Sequence, residues 1–331
     1  MNQRGWVLQE RFLAPRVLHF GHDQLVWECP EHAMSEEYQV GLPPMWCLNT
    51  YGGSLKANSA SLQKDKISWY DMWDNVVRTY SKTSLTCPSD KLVALSGIAK
   101  AFRSVLDDDY VAGMWRKVLS HQLLWELSHW NIRARPFAYR APSWSWASVD
   151  GFISISFDKV YDAVMIEVVD VHIEYATDDD TGTILSGWVD LKGILRPARL
   201  EWNAYPGHYE SDWLVVLSDD NNHRQVKLNI QFDYLPVEKD VMLQGVATAQ
   251  FFCVLATRPS GDHASVTRIG GCLVILLRLV DVKKRHFERV GTARISWEED
   301  AQVLLEDLDE EVQRSLPCLR YEDGKHTIRV F

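Results

Sequence analysis

The stretch QVKLNIQFDY, residues 225–234, alternates without a break: Val226, Leu228, Ile230, Phe232 and Tyr234 are apolar or aromatic, and Gln225, Lys227, Asn229, Gln231 and Asp233 are polar. Successive side chains of an extended chain point to opposite faces, so this pattern predicts a strand with one face buried and the other in water. Met165, Val169, Val171, Ile173 and Tyr175 repeat it, with Glu167 as an exception. Further apolar runs at 184–195, 241–256, 272–282 and 288–296 read as strands separated by turn residues. Residues 151–331 therefore predict a mostly antiparallel β domain of sandwich or barrel type.

Residues 1–150 differ. Residues 4–12 suit a short helix, and RVLHF-GHDQ-LVWEC reads as two strands around a four-residue turn, pairing 17–20 with 25–29. Residues 30–62, with Pro43, Pro44, Gly52 and Gly53, read as a long loop. Trp69, Trp73, Val76, Val77 and Tyr80 share one helical face. Ser89 is placed to cap a following helix, whose face is Leu92, Leu95, Ile98, Ala99, Phe102 and Leu106. Tyr110–Trp130 is apolar nearly all round and reads as a buried helix, and the acidic run 298–316 as a late, solvated one. The fold class is α+β: a helical, Trp-rich N-terminal half followed by the β domain.

Composition narrows the function. A formal charge of −10 without a Lys/Arg run argues against nucleic-acid and anionic-membrane partners. Arg278 ends the run CLVILL, so no apolar stretch spans a bilayer, and the polar residues after Met1 make no secretory signal. Six cysteines without a C-x-x-C pair read as reduced thiols, which places the chain in the cytoplasm. The 14 tryptophans, most of them before residue 150, are either core anchors or the wall of an aromatic pocket.

The block RGWVLQERFLAPRVLHFGHDQLVWEC resembles the last block of the fungal heterokaryon-incompatibility (HET) domain. There Arg-x-Trp-x-x-Gln-Glu precedes an apolar strand and Trp-Glu-Cys. Here the pattern falls on Arg4, Trp6, Gln9 and Glu10, then on Trp27, Glu28 and Cys29. YSKTSLTCPSDKLVALSGIA, DDDYVAGMW and APSWSWASVDG are similar to segments that follow in that family, and the likeness covers roughly residues 1–150. The family's two earlier blocks, Ser-Tyr-x-Trp-Gly and Asp-x-x-Cys-Ile-x-Gln, are missing from this sequence, so its start is expected to lie inside a larger domain. HET domains are distantly related to Toll/interleukin-receptor-like domains, some of which cleave NAD through a glutamate four residues after a tryptophan. The resemblance thus makes Glu10 the catalytic candidate beside Trp6, with Arg4 and Gln9 as binding candidates. It also implies self-association or meeting another incompatibility protein. With the early blocks missing, the chain alone is expected not to hydrolyse NAD, and no cofactor is expected.

Other constellations leave alternatives. Arg133, Arg135 and Arg140 interleave with Trp130, Phe137, Tyr139, Trp144 and Trp146; Arg140, Trp144 and Trp146 are candidates to bind a small-molecule ligand, or else the segment is clamped onto the core. His19-x-x-His22 and Cys29-x-x-His32 have zinc-like spacing, but with 21–24 as the turn, His19 lies opposite Val26 and Cys29 opposite Arg16, about 10 Å apart along the ladder. No metal is expected. Asp107–Asp109 reads as a helix cap and Asp178–Asp180 as a turn. The competing function is a stand-alone cyclase or isomerase of fungal secondary metabolism, with an aromatic-lined pocket and Glu10 as its acid/base.

Overall fold

The structure is a computed structural model and describes residues 4–30, 32–42, 66–128, 133–155, 164–203, 213–218, 225–234, 250–257, 272–295, 304–305 and 308–331. It separates into two compact units, one of Met1–Val118 with Tyr175–Thr183, the other of Leu119–Glu174 with Ile184–Phe331. The division falls at Val118 and not at residue 150, because residues 119–150 supply contacts that the β-rich unit needs, described below.

The first unit begins with α1 (Gly5–Leu13), followed by the sheet β1 (Val17–Phe20), β2 (Leu25–Glu28) and β3 (Ala33–Ser35), paired in that order. β1 and β2 form the expected antiparallel hairpin, with Leu18 opposite Trp27 and His19 opposite Val26. Next come α2 (Lys66–Tyr80) and α3 (Ser96–Leu106). The apolar face read from the sequence is buried: Trp73, Val76, Val77 and Tyr80 on α2, and Leu92, Leu95, Ile98, Ala99, Phe102 and Leu106 on and before α3. Phe102 is the hub, with ring centroids of Phe12, Trp69 and Trp73 at 5.8, 5.5 and 5.4 Å. Ser89 does not cap α3. It lies in a 3-10 turn, Pro88–Lys91, and its hydroxyl turns to Asp90, because α3 starts six residues later than a cap at Ser89 would place it.

Among the described residues, 110–128 do not form the expected helix. β4 (Tyr110–Val111) and β5 (Met114–Trp115) form a tight hairpin, and only Leu119–Gln122, α4, is α-helical, before β6 (Trp125–Leu127). Ala112 and Gly113 have φ of 49° and 93°, the left-handed pair that a two-residue hairpin turn requires. Burial on all sides removes the alternation that would have marked these strands. Asp107 closes α3 in the left-handed conformation, its N–H donating to the Arg103 carbonyl. The buried Asp108 accepts from the N–H groups of Asp109 and Lys117 and from the Tyr70 hydroxyl. The triplet serves the backbone, as a cap does.

The second unit continues with β7 (Ile153–Ile155), which pairs β6, then β8 (Glu167–Tyr175) and β9 (Ile184–Gly193). β10 (Leu195–Trp202), β11 (Trp213–Ser218), β12 (Gln225–Phe232), β13 (Phe251–Leu255), β14 (Cys272–Asp281) and β15 (His286–Ile295) follow. These six pair in the order β12-β11-β10-β13-β14-β15, and β12 returns to pair β15, so they close into an antiparallel barrel. Val226, Leu228, Ile230 and Phe232 face its interior with Trp213, Val215, Cys253, Val274 and Leu276. Closure requires Gly291, which sits opposite Phe232: a Cβ there would lie 2.5 Å from the Gln231 carbonyl oxygen. After α5 (Glu310–Ser315) and β16 (Arg320–Glu322), β17 (Lys325–Val330) inserts between β15 and β9, parallel to β15 and antiparallel to β9. The expected loop at 30–62 is interrupted by β3, because residues 33–35 pair with β2, and its part from 43 on lies outside the described residues, as do the strand before residue 250 and most of the late helix before residue 310.

Arg289 ties residues 119–150 to the barrel. Its side chain is 1% exposed and pairs with Asp233, Nε to Oδ2 at 2.8 Å. It also donates to the carbonyls of Leu123 and Trp125, at 2.6 and 2.5 Å. Its guanidinium lies 3.6 Å from the centroid of the Trp125 ring. Breaking a buried ion pair strands the remaining charge, so Arg289→Met is expected to cost about 3–5 kcal/mol. Adding Asp233→Leu should recover part of this, the rest being the two carbonyls left without donors at about 1–3 kcal/mol each. Urea unfolding of the two single variants and the double variant checks the ordering; a double variant no more stable than Arg289→Met alone would contradict it.

Candidate functional site

The residues singled out by the sequence fall in both units. Arg4, Trp6, Gln9 and Glu10 are on or beside α1 in the first; Arg140, Trp144 and Trp146 are in the second.

α1 is anchored by glycines where chains meet closely. A Cβ on Gly5 would lie 2.6 Å from Leu85, and one on Gly97 would lie 2.8 Å from Leu13 and 3.0 Å from Gln9. Through that gap Gln9 reaches the start of α3, where its Oε1 accepts from the Gly97 N–H at 2.7 Å. A first-turn amide lacks an intrahelical partner, so Gln9 acts as a cap supplied from another helix. Arg4 stands before α1 with its side chain exposed and its backbone bridged to Ser84. Trp6 is half-buried, and Glu10, one turn on, is exposed. The carboxylate and the indole therefore do not share a closed pocket.

The same segment builds a cluster that the spacing of its residues did not announce. Strand alternation puts His19 and Glu28 on one face of the β1–β2 hairpin. Arg11 of α1 meets Glu28 with two bonds, Nε to Oε2 at 2.6 Å and Nη2 to Oε1 at 2.8 Å. His19 Nε2 lies 3.1 Å from Glu28 Oε2. Burial opposes ionisation of Glu28, but the Arg11 hydrogen bonds and charge, with His19 behind them, outweigh it and hold the carboxyl below its ordinary range. The usable signal was the hairpin register: once the turn is fixed at 21–24, a carboxylate and an imidazole must share a face. The cluster pre-orients an imidazole and fixes α1 to the sheet. His22 instead pairs with Asp23 at 2.7 Å in full exposure, and Cys29 falls on the opposite face by alternation. Among the described residues no group of three His, Cys, Asp or Glu side chains is placed to hold a metal ion.

In the second unit Arg140 donates from Nε to the Ala147 carbonyl and from Nη2 to Asp150, both at 2.7 Å. Trp144 and Trp146 are buried, and the Trp144 carbonyl accepts from Trp125 Nε1 at 2.8 Å. Ser145 caps the turn Trp146–Ser148 by accepting from the Ala147 N–H. Ser143 Oγ accepts from the Arg289 N–H at 2.9 Å and donates to the Phe331 carbonyl. This pattern is that of a clamp, with the guanidinium spent on the Ala147 carbonyl and Asp150 and the indoles in the core. Arg135 pairs outward with Glu288 at 3.0 Å, Phe137 and Tyr139 are exposed, and Trp130 lies outside the described residues. Asp179 in the 178–180 turn is drawn down to about 2 by hydrogen bonds from the Lys100 ammonium and Thr181.

Compared with known proteins, the chain matches no family model, no curated protein and no solved structure.

The Glu28 cluster generates a pH signature. A carboxyl held below its unfolded value stabilises the fold above that value, and the stability is lost as pH falls through the folded one. Glu28→Gln should lower stability by about 1.5–3 kcal/mol at neutral pH, the range for hydrogen bonds to a charged group. The gap between variant and wild type should close as pH falls below the ordinary carboxylate range. Thermal melts from acid to neutral pH measure it; a gap constant with pH would exclude the ionised cluster.

Proposed function

We propose that this chain is an intracellular protein of the heterokaryon-incompatibility type, acting in fungal cell death by associating with a protein partner and not by hydrolysing NAD. The reading starts from the ordered blocks of residues 4–29 and their downstream companions. The observation that carries it is the division of labour on α1. Gln9 and, through Arg11, Glu28 hold the helix to α3 and to the sheet, so these two motif residues are accounted for as a scaffold. Glu10, the residue a nucleotide-cleaving site would need inside a water-excluding pocket, is exposed. A scaffold whose buried carboxylate, Glu28, is held by Arg11 and whose Glu10 faces water suits recognition better than catalysis.

The cyclase or isomerase reading requires Glu10 inside an aromatic enclosure. Its exposure, and the burial of Trp144 and Trp146 in the core of the other unit, give that reading no support.

Expression in a filamentous fungus is expected to arrest growth or kill the cell, with Glu10→Gln as potent as wild type. Purified protein should leave NAD intact, and the same substitution, at an exposed site, should change stability by no more than about 0.5 kcal/mol. NAD cleavage by wild type that Glu10→Gln abolishes would overturn the non-enzymatic reading. Absence of any growth phenotype would overturn the incompatibility reading.

A further inference from the structure

The open edge of β1 carries an inference that deepens the association reading and rests on it for its biological role. Among the described residues, β1 is the outermost strand of its sheet. The hydrogen bond from Gly21 N to the Gln24 carbonyl fixes which residues of the hairpin bond inward. Counting in steps of two, His19 and Val17 exchange bonds with Val26 and Glu28. Leu18 and Phe20 must then direct their N–H and C=O groups away from β2. The other side of the sheet agrees: Glu36 N donates to the Leu25 carbonyl and Cys29 N to the His32 carbonyl, so Leu25, Trp27 and Cys29 bond toward β3. Among the described residues nothing pairs with the outward groups of Leu18 and Phe20.

The side chains at this edge are unusual for an exposed strand. Leu18 is 46% and Phe20 67% exposed. They share a face with Leu25, Trp27 and Met34, all half-buried, while the opposite face carries His19 and Glu28 under Arg11. Solvent-facing edges are ordinarily protected by lysines or inward charges within the strand, and VLHF carries no lysine or carboxylate. The charges sit at its ends: exposed Arg16 just before it, and His22 and Asp23 just after it, 98% and 90% exposed.

We propose that β1 pairs antiparallel with β1 of a second copy of this chain. A two-fold axis through His19 sets Leu18 opposite Phe20 of the other copy and Phe20 opposite Leu18. All four outward-directed residues then exchange main-chain bonds, and two three-stranded sheets become one of six strands. The same axis brings the cationic end of one strand, Arg16, beside the His22–Asp23 end of the other. A strand carrying like charges at both ends would repel itself in this arrangement; this one attracts itself. That complementarity commits the edge to its own copy over an unrelated chain.

A strand pair is a small contact, well under the ~1,200 Å² of a stable interface, so the association is expected to be weak. Sedimentation velocity on the full chain, at concentrations rising to the order of 100 µM, should show a reversible monomer–dimer equilibrium. Leu18→Lys and Phe20→Lys should each weaken it by about tenfold or more with melting temperature unchanged, since both side chains already face water. Arg16→Asp and Asp23→Arg should each weaken dimerisation, and the double charge swap should restore it, which loss of folding does not mimic. A wild type that stays monomeric throughout, or a double swap no better than the single variants, would overturn the pairing. A monomeric wild type that still arrests fungal growth would overturn the pairing and leave the function reading standing. Lysine variants that are monomeric, folded and inert in the fungus would support both.

Discussion

The fold of the second unit depends on one buried guanidinium. Arg289 sits in β15 at a point where Asp233 beyond β12, the approach to β6 and Ser143 all accept from it. Burying that charge is costly, and the cost is offset by a carboxylate, two carbonyls and the face of an indole. The partners come from separate stretches of sequence: Asp233 just beyond β12, and Leu123 and Trp125 around the start of β6. The Arg289 N–H adds a third stretch through Ser143. No apolar residue at this position could specify so many neighbours, because dispersion forces reward proximity but not direction.

How much of this was legible in the sequence follows from what each element packs against. β12 was readable because one face meets the barrel interior and the other meets water, so Val226 to Phe232 alternate with polar residues. The faces of α2 and α3 were readable for the same reason at helical spacing. The hairpin β1–β2 was readable down to its register, because a four-residue polar turn leaves one natural pairing. The Tyr110–Trp130 run was misread because residues buried on every side show no period. The only local sign was Ala112-Gly113, a turn whose importance shows in its backbone angles. Barrel closure left no local pattern either: it depends on one missing side chain, at Gly291, against a strand some sixty residues away in sequence.

Candidate sites divide along similar lines. The motif residues of α1 were read as a group, but a motif names residues without saying which are spent on the scaffold. Gln9 and Glu28 contact parts of the chain that no spacing rule connects, α3 and α1, and these contacts leave Glu10 to the solvent. The tryptophans show the same ambiguity. Trp73, Trp115, Trp125, Trp144 and Trp146 are all within 1% of full burial, as anchors would be, and their number compensates for short elements that bury little area individually.

The position of β17 has a consequence for how the chain reaches this state. On the side away from β8, β9 pairs with β17, where Lys192 faces Thr327 and Asp190 faces Arg329 in a bidentate ion pair. The β8–β9 hairpin is made early but has nothing to pair with until a strand encoded far downstream has been threaded between it and β15. During that interval its inner edge is an unprotected template. Closing so distant a contact late makes the last step of assembly the slowest in entropic terms. The second unit should therefore resist vectorial folding: shortened nascent chains would present a complete barrel wall beside an orphaned hairpin, the state in which chaperone binding or mispairing between chains competes most directly with the native sheet.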